Sequence, residues 1–369
     1  MTLEEAARLT RIPSKRLRAL EDGEPAKAGE LKRLADLYVV PREVFFTKQL
    51  TRPVSIPDFR TPNNAPAKMS KRGALRLEQA HQIRSLVEQL APGLFVSEAY
   101  RIDFDAGVNE ATRVVSRLLD LSNKNAAAIE EPLTAFRYFR AKIEQAGIPV
   151  LCESIKDEPF RGFCLASGNA TPIIFINTWN QTVKTKNFTL IHELVHALMR
   201  AEGVSDPFII KNRLERFCNQ VTVNVTMPEG NFRNEFIRAR EEAGDDYLAL
   251  VELLSDTFKI SKQATAIRID ELGLIDDFYK SWLARMRGRN VPSPEDEPQD
   301  EQQFRRASVA TRQIARYGYV LPMLIGDAVR KNLISEIDVF RYTRLKPRWL
   351  KQTEIAAIKR FPEALNASG

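Results

Sequence analysis

Phe188-Thr189-Leu190-Ile191-His192-Glu193-Leu194-Val195-His196-Ala197-Leu198-Met199 is the stretch from which the rest of this chain is read. Its apolar residues surround His192, Glu193 and His196, so as a helix it buries a polar trio, which is costly without a purpose. On a helix, positions i and i+4 share a face, so both imidazoles can converge on one cation. The chain has only three histidines, and two of them fall in this HExxH pattern. Zinc accepts neutral imidazole nitrogen, and a catalytic zinc site takes three protein ligands and keeps one position open. Glu193 sits about 100° round the helix from His192, where it can reach a water at that position and take its proton.

A third ligand must come from elsewhere. The continuation HExxHxxGxxH is absent, because His196 is followed by Ala197-Leu198-Met199-Arg200 and no later histidine exists. A carboxylate has to close the site. Glu202 lies about 240° round the helix from His196 and points off the metal face. Glu229 follows Met227-Pro228 in a turn. Glu215 opens a new helix, from Asn212 to about Val225, and a helix hairpin would bring it to the histidine pair. Spacing favours Glu215 and leaves Glu202 and Glu229 as alternatives. Asn219, one turn beyond Glu215, is placed to orient a ligand.

Working outward, Pro149–Cys152, Gly162–Ala166 and Pro172–Asn177 are short apolar runs bounded by Gly, Pro and Asn, and they predict a small three-stranded sheet. The third strand leads into the HExxH helix. Helices are expected at about 71–91, with Leu75, Ile83, Leu86, Val87 and Leu90 inward, at 109–119 and at 132–146, and the chain is mainly helical beyond 186. The fold class is therefore α+β, predominantly α-helical. Residues 1–46 read as a small helical bundle, 47–70 as a linker or arm, and 71–290 as the core, in which Leu253–Ser261 followed by Ala264–Arg268 has the grammar of a helix, a turn and a capped helix. Residues 291–303, acidic and proline-bearing, read as a connector, and 304–369 as a helical C-terminal segment. No repeat of fixed period is visible.

Composition narrows the classes. The 369 residues are 44% hydrophobic and 28% charged, as in ordinary globular proteins, and no apolar run is long enough to span a bilayer. The net charge of +7 is too small to argue by itself for nucleic acid. Cys152, Cys164 and Cys218 are scattered and odd in number, which predicts no disulfide framework and a reducing cytoplasm. Cys218 reads as a small buried side chain, His81 as a surface or packing residue, and the basic stretch Arg344–Lys351 as a solvated face.

These residues together resemble the ImmA/IrrE-type metallopeptidase family. The resemblance rests on Phe163, on Pro172–Asn177, on Phe188–His196, and on Glu215-Arg216-Phe217-Cys218-Asn219 followed by Met227-Pro228, and it covers about 130–230. It implies a zincin-like arrangement in which one Zn2+ per chain is held by His192, His196 and Glu215, with Glu193 as base. It also implies cleavage of a partner protein such as a transcriptional repressor, in stress response or mobile-element regulation. Two positions depart from the family pattern: Asn224 stands where it has glutamate, and Thr226 where it has leucine. Residues 3–46 resemble the later part of an Xre-type helix-turn-helix, whose second helix would offer Ser14, Lys15, Arg16 and Arg18 to DNA. Such domains begin with a further helix that this segment lacks. The expectation is therefore a docking bundle covered from elsewhere in the chain or by another subunit, which also raises a homodimer. The alternative functions are a DNA-binding regulator or a toxin–antitoxin or immunity component with an inactive or structural metal site.

Overall fold

The computed structural model describes residues 2–38, 45, 70–95, 100–121, 131–156, 160–166, 168–200, 203–205, 213–288 and 307–366. The expected connector at 291–303 and nearly all of the arm at 47–70 lie outside the described residues. By its contacts the chain divides into two units, Met1–Ser55 with Lys68–Gln79, and Ile56–Ala67 with Ala80–Gly369.

In the first unit, α1 (Leu3–Thr10), α2 (Ser14–Glu21) and α3 (Ala28–Tyr38) enclose a small core of Ala6, Ile12, Leu17, Leu34 and Leu37. A capping box starts α1: the Thr2 hydroxyl accepts from the Glu5 N–H while the Glu5 carboxylate accepts from the Thr2 N–H. The Arg16 guanidinium reaches Glu24 at 2.6 Å and Glu30 at 3.0 Å, and donates to the Pro25 carbonyl. Arg16 and the Lys27 N–H together hold the Glu30 carboxyl down to about 2.

Helix α4 (Lys71–Leu90) turns Ile83, Leu86 and Val87 inward as expected, but Leu75 is 47% exposed. Leu77 and Ala80 take the inward positions instead, since Leu75 lies about 200° round the helix from Leu77. In the second unit, α5 (Gly107–Leu118) and α6 (Pro132–Gln145) pack beside a sheet of β1 (Val150–Glu153), β2 (Gly162–Leu165) and β3 (Ile173–Asn177). These are the three expected strands. A fourth, β4 (Gly203–Ser205), pairs antiparallel with β2 and gives the order β1-β3-β2-β4. β3 runs parallel to β1 and antiparallel to β2. All five β3 residues are buried, which accounts for its uninterrupted apolar run. Phe163 and Phe175, directly opposite in register, stack at 4.7 Å.

Helix α7 (Val183–Met199) lies on β2 and β3, capped by the Thr182 hydroxyl accepting from the Thr185 N–H and ended by Arg200 in the left-handed region. From Asn187 to Leu198 every residue is buried. α8 (Arg213–Thr226) packs against α7, and its distal end joins α9 (Glu229–Ala243), α10 (Tyr247–Phe258), α11 (Lys262–Glu271) and α12 (Phe278–Gly288) around a second core that includes Phe232, Phe258, Phe278 and Trp282.

The C-terminal helices are α13 (Val309–Tyr317), α14 (Val320–Arg330), α15 (Glu336–Thr343) and α16 (Pro347–Leu365). α13 packs on β1 and α16 on α6. The junction is a buried ion pair on α6, Arg140 with Glu144 at 3.0 Å. Arg140 also donates to the carbonyls of Ala315 at 2.7 Å and Val150, while Glu144 accepts from the N–H groups of Tyr319 at 2.6 Å and Val320 at 3.0 Å. Gly318, at φ 74°, is obligatory here: a Cβ would lie 1.8 Å from the Glu144 carboxylate.

Candidate metal centre

The site is assembled from the ends of β2 and β3 and the facing turns of α7 and α8. Asn177, closing β3, staples the preceding loop: its amide donates to the Ile155 and Phe160 carbonyls, and its oxygen accepts from the Ile155 and Trp179 N–H groups. Gln181 donates to the carbonyls of Arg161 and Asn177, and its oxygen accepts from Thr189 on α7. These contacts fix the start of α7 against the sheet.

His192 and His196 then converge as their spacing predicts. Their Nε2 atoms are 3.1 Å apart, and the rings meet at 61°. Glu215 enters from α8 with one oxygen 3.2 Å from His192 Nε2 and the other 3.2 Å from His196 Nε2. All three side chains are buried. Among the described residues this is the one cluster of three ligand-type side chains with a donor atom each within 4.8 Å of the others.

The donor set fits a cation. Two imidazole nitrogens and a carboxylate oxygen turned onto one another set lone pair against lone pair unless a positive charge lies between them. Ligand atoms about 2.0–2.1 Å from a tetrahedral zinc stand about 3.4 Å apart, close to the separations here. Burial pushes the His192 pKa down, opposed by Glu215 and more weakly by Asn219, which favours the neutral imidazole that binds metal. At His196, by contrast, burial is overridden by Cys218 and Glu215, which push the pKa up. Burial would raise Glu215, but the two imidazoles override it and hold its carboxyl well below the usual carboxylate range. Each fit is one of side-chain chemistry.

Residues 143–270 match the family model for the IrrE N-terminal-like domain, a peptidase family. No curated protein and no solved structure matches the chain. The IrrE-like region contains the whole sheet, α7, α8 and the converged cluster, and it makes this part of the chain metallopeptidase-like.

The other predicted positions fall as follows. Glu193, in the IrrE-like region, is fully buried and lies against Gly162: a Cβ on that glycine would meet Glu193 Oε1 at 2.9 Å. Asn219 stands beside His192, with both amide atoms buried and no hydrogen-bond partner among the described residues. Glu229 is not in the cluster; it pairs with Arg233 at 2.9 Å on the surface. Glu202 lies outside the described residues. Ser14, Lys15 and Arg18 are exposed on α2, whereas Arg16 is drawn into its ion pairs. Cys218 is buried beside His196, and burial raises its thiol. In the sequence Gly162 reads only as part of a strand. Its signal was the absence of a side chain in an otherwise bulky run, which marks close approach of another group. A contact with no signature in the sequence joins α11 to α8: Arg268 donates to the Asn224 amide oxygen at 3.0 Å and to the Met227 carbonyl at 3.1 Å.

Proposed function

We propose that this protein is a zinc-dependent endopeptidase with one ion per chain, His192, His196 and Glu215 as ligands and Glu193 as general base. The observation that carries this reading is the buried convergence of two imidazoles and a carboxylate at 3.1–3.2 Å, with a second carboxylate next to it in sequence that takes no part in the cluster. When bound, the ion supplies a Lewis acid and lowers the pKa of water toward neutrality. Glu193 removes the proton from the attacking water and passes it to the leaving amine. Its fixed position, wedged over Gly162, means that little reorganisation precedes the transfer. Asn219, its amide buried beside His192, is the group placed to orient that ligand. The substrate we infer is a partner protein such as a transcriptional repressor, in stress response or mobile-element regulation; the support is the match to a peptidase family and the family resemblance of residues 130–230.

The test compares wild type and Glu193→Gln by metal analysis and by intact mass after co-expression with a repressor encoded beside its gene. Zinc at one per chain in both, with cleavage lost on the order of 10²-fold or more in Glu193→Gln, is the expected outcome. Equal products from both proteins, or no zinc in either, would sink the reading. Zinc without Glu193-dependent cleavage of any such repressor would support the structural-metal alternative.

A further inference from the structure

The described chain contains the same helical elbow near both of its ends. In the first unit Thr2 and Glu5 form the capping box of α1, which ends at Thr10. Arg11 adopts the left-handed region at φ 55°, Ile12 turns inward, and α2 begins at Ser14. In the second unit Ser335 and Asp338 form the capping box of α15, which ends at Thr343. Arg344 adopts φ 61°, Leu345 turns inward, and α16 begins at Pro347. The spacing is identical throughout. Even the threonine bonds repeat: Thr10 Oγ1 donates to the Ala6 carbonyl at 2.6 Å and accepts from the Ile12 N–H, as Thr343 Oγ1 donates to the Val339 carbonyl at 2.6 Å and accepts from the Leu345 N–H. Leu17 and Leu350 close the two cores from the second helix.

The elbows differ in their free charge. In the first, Arg16 is consumed by Glu24 and Glu30. In the second, Arg341, Arg344, Lys346, Arg348 and Lys351 are all exposed, and none enters an ion pair among the described residues. Residues 307–366 hold 11 Lys and Arg against 5 Asp and Glu, nearly the whole of the chain's excess of +7. A third elbow, with Lys259 at φ 58° and Ile260 buried, lacks this supply: its Lys262 pairs with Glu252 at 2.8 Å and Arg268 is buried.

Two helices joined by a tight turn, with cations on the turn and on the first turns of the second helix, match the geometry of duplex recognition, in which that helix enters the major groove and its flanks hold phosphates. We propose that the α15–α16 elbow binds double-stranded nucleic acid, with α16 along the major groove and Arg341, Arg344, Lys346, Arg348 and Lys351 all against the phosphates that flank it. A second copy of this chain would meet the patch with like charge. The exposed Ile337 and Phe340 on α15 make an anionic lipid surface the competing occupant, so lipid forms the second arm of the test. The proposal stands apart from the metal reading.

Anisotropy of the full chain with a labelled duplex of about 25 base pairs, between about 50 and 200 mM salt, should show binding whose log–log slope lies near −4 to −5 for five cations. Arg344→Ala/Arg348→Ala/Lys351→Ala should weaken it by at least about 10-fold and flatten the slope by about 3, with an unchanged melting temperature because all three side chains are exposed. Lys15→Ala/Arg18→Ala should leave it within about two-fold, serving as the matched control. No binding at the lower salt, an unchanged affinity and slope in the triple variant, or capture by phosphatidylglycerol vesicles without duplex binding would each overturn the proposal.

Discussion

Adding one methyl group at Gly162 tests the catalytic geometry more sharply than removing a ligand. A Cβ there would lie 2.9 Å from Glu193 Oε1, 3.0 Å from its Cγ and 3.0 Å from the Phe175 carbonyl oxygen. Ordinary contact begins at 3.4 Å, so the Glu193 carboxylate must retreat by about 0.5 Å. The Phe175 oxygen belongs to the backbone of a fully buried strand and cannot give way. Overpacking of this kind costs roughly 1–3 kcal/mol, equivalent to about 2–12 °C in melting temperature. If Glu193 is the general base proposed above, a misplacement of about half an ångström should lower kcat on the order of 10-fold with little change in KM. Gly162→Ala should still bind one zinc per chain, because no ligand moves. Gly230→Ala, where a Cβ meets nothing within 4 Å at a helical position of α9, is the control: its rate should be unchanged and its melting temperature unchanged or slightly raised. Differential scanning fluorimetry reads the stability, and cleavage of the cognate partner reads the rate. If Gly162→Ala melts like wild type and cleaves at an undiminished rate, the close approach does not position Glu193 and the reasoning fails.

Other perturbations follow from single contacts. Glu215→Ala should weaken zinc by at least about 10²-fold and abolish the rise in melting temperature that zinc gives the wild type, both readable by titration against a chelator; an unchanged zinc affinity would remove Glu215 from the ligand set. Asn224→Asp supplies Arg268 with a charged acceptor in place of a neutral one, worth about 1 kcal/mol and about 2–4 °C; a lower melting temperature would show that the buried guanidinium needs no counter-charge. Glu30 titrates at about 2 when folded and near its ordinary 4.5 when unfolded. Its contribution to the first unit is thus complete above about 4.5 and is lost as pH falls toward about 2. Glu30→Gln should remove that acid-dependent component from a circular-dichroism titration, and an unchanged profile would mean that the Arg16 pair does not form in solution.

The HExxH helix was legible because two signals coincide there: histidine spacing at i and i+4, and an apolar surround that continues round the helix. The strands were legible for a related reason, since a fully covered strand must be apolar on both faces. Glu215 required tertiary reasoning, and only the inference of a helix hairpin distinguished it from Glu229. β4 left no trace, because three residues are too few to show an alternation. Leu75 was misplaced because the inward stripe of α4 runs through Leu77 and Ala80, and a leucine on either side of the helix satisfies a coarse periodic count. The two matching elbows share few identical residues and lie at opposite ends of the chain, so no periodicity revealed them. What they share is backbone geometry, visible once Arg11 and Arg344 are known to be left-handed.

The Arg140–Glu144 pair has a consequence for how this protein comes to be. The two charges are made early in synthesis, yet the groups that satisfy them, at Ala315, Tyr319 and Val320, are made some 175 residues later. Until those arrive, the two ions of a nascent chain have each other and the Val150 carbonyl but lack the remaining partners that make their burial tolerable. The region recognisable by sequence is therefore narrower than the body that must fold. A fragment cut to residues 143–270 would lose Arg140 itself and leave Glu144 facing an empty seat.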